Sequence, residues 1–256
     1  MAKRTGTNYS ETLTGTDQSD TFNGKGGNDT LIGGLGNDFY DFSGNFGYDY
    51  VKESTNGGND TLRILSDIPA SAVRLVGDMY GDLSVIADGY GKITLPDHLL
   101  STTVEFLKIG SAAPISLTGG LTMTGSDYGY ESIYGTRYND TINSKGGPDT
   151  LRGGLGQDCF VFEGNFGSDT ISDFSKTQND ILDFSRIDAN SSIAGDQSFS
   201  FIGTSAFTTA GGQIRYVNSN ISNTTYVQLN TDNDVAAEYQ VELVGKIGLT
   251  ATDILG

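Results

Sequence analysis

The chain has 256 residues, enough for one large or two small domains, and its 36 glycines, 4 prolines and absent tryptophan point to many turns between short strands rather than to helices. Thirty-two acidic against 15 basic side chains leave a formal charge of −17, which repels phosphate backbones and anionic lipid and argues against nucleic-acid binding and electrostatic membrane docking. Cys159 stands alone and cannot close an internal disulfide, no Cys/His pattern offers a zinc site, and no stretch nears the roughly twenty apolar residues of a membrane span.

The N-terminal "MAKRTGTNYSETLTG" carries two basic residues but no apolar run behind them, so it lacks the middle region of a secretory signal peptide. From residue 6 the chain divides into nines: "GTNYSETLT", "GTDQSDTFN", "GKGGNDTLI" and "GGLGNDFYD", then "GNFGYDYVK" and "TNGGNDTLR", each after a two-residue insertion, ending at residue 63. The sixth position is always acidic: Glu11, Asp20, Asp29, Asp38, Asp49 and Asp60. The eighth is always large and apolar: Leu13, Phe22, Leu31, Tyr40, Val51 and Leu62.

The same pattern returns 120 residues on, over 126–183, with both insertions in the same places. Its sixth positions are Glu131, Asp140, Asp149, Asp158, Asp169 and Asp180, and its eighth Ile133, Ile142, Leu151, Phe160, Ile171 and Leu182. Two matching arrays indicate an internal duplication and two domains. The expected division is 1–117, a roll over 6–63 with a β-hairpin extension, and 118–256, a roll over 126–183 with a C-terminal β cap and tail.

Nine residues divide into a short strand whose middle side chain points inward and a turn in which glycine supplies left-handed backbone angles. If two nonamers make one coil of a right-handed parallel roll, alternate repeats stack. Glu11, Asp29 and Asp49 then form one column, and Asp20, Asp38 and Asp60 the other. Carboxylates stacked about 5 Å apart repel one another unless a cation lies between them. Carboxylate and carbonyl oxygens without imidazole or thiolate suit Ca²⁺ better than zinc, copper or iron. The alternative is metal-free: Asn/Asp-Gly turns capping strands through Asx hydrogen bonds, which accounts for the turns but not for the acid columns.

These nonamers resemble GGxGxDxUx, the RTX repeat of secreted bacterial proteins, and "GGLGNDFYD" and "GGLGQDCFV" match it at every constrained position. The resemblance implies an all-β fold of two parallel β-rolls, with roughly four to eight calcium ions between the turns of repeats two apart. It assigns the ions first to Asp20 with Asp38, Asp29 with Asp49, Asp140 with Asp158 and Asp149 with Asp169. Asp60 and Asp180 follow, with turn positions such as Gly24, Gly26, Asn28, Gly33 and Gly153. Glu11 and Glu131 sit in glycine-poor turns, Pro148 replaces the usual fifth residue and "SKTQND" lacks glycine, so the terminal sites are expected to be weak or empty.

After the first array, "DLSVIADGYGKITL" alternates apolar residues around Asp88–Gly91, the mark of a hairpin, and resembles the extension that covers the open end of such rolls. After the second, strands are read at "GGQIRYV", "TTYVQLN" and "EYQVELVG", in a region similar to the C-terminal part of serralysin-type proteins and to the calcium-binding modules of alginate epimerases. "NTDNDVAAE" has the spacing of a bend and lacks an EF-hand register, leaving an extra ion at Asp232 or Asp234 as a minor alternative. The final "TATDILG" resembles the uncleaved C-terminal signal of type I secretion, which would account for the missing N-terminal one.

His98 is the sole histidine, which excludes an HExxH peptidase; no Gly-x-Ser-x-Gly elbow surrounds a serine, and His98 is read as a surface or hairpin-edge residue. Nothing basic in sequence lowers the Cys159 thiol, and most acids that could serve a glycosidase belong to the columns. The expectation is therefore a non-enzymatic, extracellular calcium-binding protein that folds on meeting Ca²⁺. Its partners would be the type I secretion machinery and, through exposed Tyr, Asn and Asp, cell-surface or matrix polysaccharide. The alternative is an accessory calcium-binding module of a secreted polysaccharide-modifying enzyme or peptidase, against which the start at Met1 and the secretion-like tail favour a whole protein.

Overall fold

Each nonamer contributes one short strand, and consecutive strands go to opposite sheets. The computed structural model describes residues 1–54, 57–101 and 103–256, so Thr55 and Asn56, the first two residues of the sixth nonamer, lie outside the described part. Two units result, Met1–Leu121 and Thr122–Gly256. The described residues hold strands and two short 3₁₀ turns but no α-helix, and no helix long and apolar enough to cross a membrane.

The first unit begins with β1 (Lys3–Thr5), β2 (Thr12–Thr14), β3 (Thr21–Asn23), β4 (Thr30–Ile32), β5 (Phe39–Phe42), β6 (Gly47–Lys52) and β7 (Thr61–Ile64). Strands β1, β3, β5 and β7 pair in parallel in one sheet, and β2, β4 and β6 in the other. Register sets Phe22 beside Tyr40 and Tyr40 beside Leu62, and across the roll Leu13 beside Leu31 and Leu31 beside Val51. Phe22, Leu31, Tyr40, Val51 and Leu62 are all fully buried, and burying each large apolar side chain stabilises the fold by about 1.5–3 kcal/mol. The rings of Phe22 and Tyr40 stack with centroids 5.0 Å apart.

Glycine is required where coils touch. At Gly36, φ is +113° and an added Cβ would lie 2.5 Å from the carbonyl carbon of Gln18, in the turn one coil earlier. The first insertion also has a structural purpose. It lengthens β5 so that Phe42 turns inward against Phe46, with ring centroids 5.2 Å apart, and the second unit repeats this with Phe162 and Phe166 at 4.8 Å.

The hairpin read from sequence follows β8 (Val73–Gly77): β9 (Leu83–Ala87) and β10 (Gly91–Leu95) pair antiparallel, with Tyr90 N–H donating to the Ala87 carbonyl across the turn. Strand β10 also pairs in parallel with β6, and β11 (Phe106–Ile109) does so with β7 before β12 (Ile115–Ser116). Both roll sheets are therefore continued, which leaves neither last roll strand as an open edge.

The second unit repeats the scheme. Strands β13 (Thr122–Thr124), β15 (Thr141–Asn143), β17 (Cys159–Glu163) and β19 (Ile181–Arg186) form one parallel stack; β14 (Ser132–Tyr134), β16 (Thr150–Arg152) and β18 (Ser168–Ile171) form the other. Its cap comprises β20 (Ser200–Phe201), β21 (Gln213–Asn218), β22 (Thr224–Asn230) and β23 (Tyr239–Val244), with β23 laid in parallel on β18. Strand β24 (Ile254–Leu255), inside the tail "TATDILG", pairs with β19.

His98 corrects one expectation. It is buried, only 3% exposed, with Nε2 3.3 Å from the Leu117 carbonyl while Nδ1 accepts the N–H of Thr103 at 3.2 Å. The ring bridges backbone from a segment 19 residues on, a contact that hairpin reading does not reveal.

Candidate metal centre

The acids of each array form ladders. Asp20 N–H donates to Asp38 Oδ1 at 2.6 Å and Asp38 N–H to Asp60 Oδ1 at 2.8 Å. In the other column Glu11 N–H donates to Asp29 Oδ1 at 2.8 Å and Asp29 N–H to Asp49 Oδ1 at 2.7 Å. The second unit repeats both columns, Asp140 to Asp158 to Asp180 and Glu131 to Asp149 to Asp169, at 2.7–3.1 Å. One oxygen of each accepting aspartate in these ladders thus satisfies a backbone amide of the preceding coil. A parallel ladder at position five, invisible in sequence, uses Asn28 and Asn37, whose Oδ1 atoms accept the N–H of Tyr48 and Asn59.

The second oxygens carry the chemistry. Those of Asp29, Asp38, Asp49, Asp149 and Asp158 are buried and have no hydrogen-bond partner. An ionised carboxylate buried with an unpartnered oxygen is costly, and a cation bound beside it offsets that cost. Three of them aim at the first-position glycines of their own repeats. A Cβ on Gly24, Gly33 or Gly153 would collide with the second oxygen of Asp29, Asp38 or Asp158 respectively, so the glycines keep a polar recess clear. Gly26 serves the backbone, its N–H donating to the Thr7 carbonyl. All ten sixth-position aspartates are at most 3% exposed. Burial, partly offset by the amide bond, pushes Asp49, Asp60, Asp158 and Asp169 up to about 7 and Asp149 to about 6, with neighbouring acids adding to the rise. An all-oxygen donor set of buried carboxylates fits a hard divalent ion such as calcium.

Four aspartates differ. Thr16 donates its N–H and hydroxyl to Asp20 Oδ2, and Thr136 does the same for Asp140. Ser144 holds Asp169 Oδ2 at 2.8 Å, and the Ser175 N–H holds Asp180 Oδ2 at 2.7 Å. Despite its burial, the amides of Ala2 and Thr16 and the Thr16 hydroxyl hold the Asp20 carboxyl below its usual range.

Three acids outside the nonamer register join the columns. Glu105 Oε2 accepts the Asp60 N–H at 2.7 Å and continues the ladder into β11, where Leu107 sits beside Leu62. The signal was present in "VEFL", an acid two residues before an inward apolar side chain. Glu53 and Asp173 open the second insertion in their arrays and accept backbone amides of the position-one and position-two turn, at Gly34 and at Gly153 and Gly154. Asp232, Asp234 and Glu238 also bring one oxygen each within 4.8 Å of one another, in a largely exposed bend. Burial, with Asp183 nearby, pushes the Cys159 thiol up to about 11, leaving it a poor nucleophile at neutral pH.

Residues 5–40 and 134–171 match the family described as the RTX calcium-binding nonapeptide repeat (4 copies). No curated protein matches the chain. Among solved structures, the extracellular lipase LipA from Serratia marcescens is 16% identical over 96% of this chain and 40% of the lipase, with a TM-score of 0.35. The AlgE6R2 and AlgE6R3 subunits of the Azotobacter vinelandii mannuronan C5-epimerase are 23% and 25% identical over 53% of this chain, covering 86% and 77% of those subunits with TM-scores of 0.37 and 0.31. The chain therefore spans less than half the length of the lipase.

Proposed function

Because its two arrays are RTX calcium-binding nonapeptide repeats, we propose that this chain is a secreted, non-catalytic protein whose rolls fold when calcium enters the acid columns. The observation that carries the reading is the set of five buried carboxylate oxygens without a partner, three of which, on Asp29, Asp38 and Asp158, face a recess that glycine keeps clear. Asp29, Asp38, Asp49, Asp149 and Asp158 would supply those oxygens, with Asp20, Asp60, Asp140, Asp169 and Asp180 completing the columns and Gly24, Gly26, Asn28, Gly33 and Gly153 lending turn carbonyls. Each roll and its β cap would act as one domain. About four to eight ions would return about eight to sixteen positive charges against −17, so the ion-free chain stays expanded and the loaded chain compacts. Affinities of roughly 10⁻⁴–10⁻³ M would leave the sites empty in the cytosol and filled outside the cell. Type I secretion would export the chain unfolded, and the folded form would serve adhesion, matrix or host contact through surface polysaccharide.

Circular dichroism during calcium titration tests this reading. The expected result is gain of β signal, reversal by chelator, and a blunted response in Asp38→Ala and Asp158→Ala. A spectrum indifferent to calcium would sink it. Binding of a glycan array only with calcium, without turnover, would support the non-catalytic role; turnover would overturn it.

A further inference from the structure

We infer that the last coil of the first array holds a calcium site of a different make from the rest, closed by Glu53 from outside the repeat and by the phenol oxygen of Tyr40, and that its counterpart in the second array has lost this closure. The inference rests on the calcium reading above and deepens it. One oxygen from each of Asp38, Glu53 and Asp60 lies within 4.8 Å of the others. Asp38 is fully buried, and its second oxygen has no hydrogen-bond partner. That oxygen, Glu53 Oε1 and the Tyr40 hydroxyl converge on one point, since a Cβ on Gly33 would collide with all three. Tyr40 donates its hydroxyl proton to Glu53 Oε1, while Glu53 Oε2 accepts the Gly34 N–H at 3.2 Å, so the carboxylate is held facing Asp38. Arg63, beside Leu62 in the same coil, is engaged elsewhere: its Nε donates to Asp41 Oδ1 at 2.5 Å and its guanidinium lies over the Phe39 ring.

The second array differs at each of these points. Phe160 stands where Tyr40 stands and brings no oxygen. Asp173, one methylene shorter than Glu53, spends both oxygens on the N–H groups of Gly153 and Gly154, at 2.9 and 3.0 Å. Arg152, where the first array has Ile32, approaches Asp173 with its Nε at 3.3 Å and supplies a positive charge in place of an ion. Three carboxylates with oxygens within 4.8 Å of one another, two of them meeting a phenol oxygen, offer hard oxygen donors of high negative charge, and charge count and rigidity are the features that tighten calcium sites. The terminal site of the first array is thus the tightest of the chain, where repeat grammar alone expects a weak one.

The test uses the full chain, with calcium counted by calorimetry and terbium as a luminescent stand-in. With no tryptophan in the chain, tyrosine is the sensitiser of terbium emission. Glu53→Gln is expected to weaken the tightest calcium class at least tenfold, and Asp173→Asn to change it less than threefold. Tyr40→Phe is expected to cut tyrosine-sensitised emission at the first equivalent of terbium by half or more. If Glu53→Gln keeps the tight class and ion count while calcium still drives folding, this inference fails and the general calcium reading stands. A wild-type chain indifferent to calcium would sink both. Should Glu53→Gln not fold, Tyr40→Phe decides, and first-equivalent emission unchanged from wild type overturns the inference.

Discussion

The amide of Asp29 donates to Oδ1 of Asp49, 2.7 Å away and 20 residues on in the chain, while Oδ2 of Asp49 is buried without a partner. The two oxygens of one carboxylate are therefore used differently, one joining coil to coil and the other, on the calcium reading, left for a cation.

Asp49→Asn separates those uses. The amide side chain keeps an oxygen for the Asp29 N–H but removes the buried charge. In chelator at pH 8 the folding equilibrium of the variant should lie about 1–3 kcal/mol nearer the folded form than that of wild type, yet the variant should gain less on adding calcium. The sign follows from the raised carboxyl: below its ordinary range the proton is bound in both states and the penalty is absent, and the penalty grows as pH rises from there to about 7, above which it is constant. The gap between variant and wild type should narrow as pH falls below about 7 and close near pH 4, around the ordinary carboxylate value of 3.8. Osmolyte-driven folding of the ion-free chains, followed by circular dichroism at several pH values, measures it; a gap that does not vary with pH would refute it.

Gly36→Ala should destabilise the first unit by about 2 kcal/mol or more, because φ is +113° and the new methyl would meet the Gln18 backbone at 2.5 Å. Gly44→Ala is the control. Its φ of +57° carries the conformational cost of about 1 kcal/mol, but nothing lies within 4 Å of an added Cβ. Calcium midpoints of the two variants compare steric and conformational costs directly, and equal midpoints would show that coil-to-coil contact is unimportant.

His98→Gln should make the protein less sensitive to mild acid. Burial, against the pull of the Leu117 carbonyl, lowers the imidazole from 6.5 to about 4. The unfolded chain therefore binds a proton that the folded one refuses, and stability falls as pH drops below 6.5. At pH 5 the loss is about 2 kcal/mol, and the difference between wild type and variant isolates it from the acids. Parallel pH profiles for the two proteins would contradict the buried, neutral ring.

The periodic part of this fold could be read directly. An acid at position six and an apolar residue at position eight suffice to put Asp29 against Asp49 and to bury Leu31, because a constant repeat length converts spacing into register. Glu53 escaped that reading because it sits in an insertion, where position in the chain no longer gives position on the roll. Glu105 and His98 escaped for a related reason. Their partners, the Asp60 amide 45 residues back and the Leu117 carbonyl 19 residues on, are fixed by how the extension folds onto the roll and not by any local pattern. Thr16 and Thr136 show the limit of the repeat grammar itself, since a second-position threonine quietly satisfies an aspartate that spacing marks as a ligand.

The carboxylate-to-amide ladder makes every coil the template of its neighbour. Asp38 receives the Asp20 amide and gives its own to Asp60, so a frayed coil takes away its neighbour's acceptor as well as its sheet pairing. Such a chain behaves as a row of linked units in which order spreads from whichever end is anchored, and loading should be steeply cooperative within a roll. Tyr40 and Glu53 put the strongest anchor beside the capped end, so the zip should close from there toward the N-terminal coil.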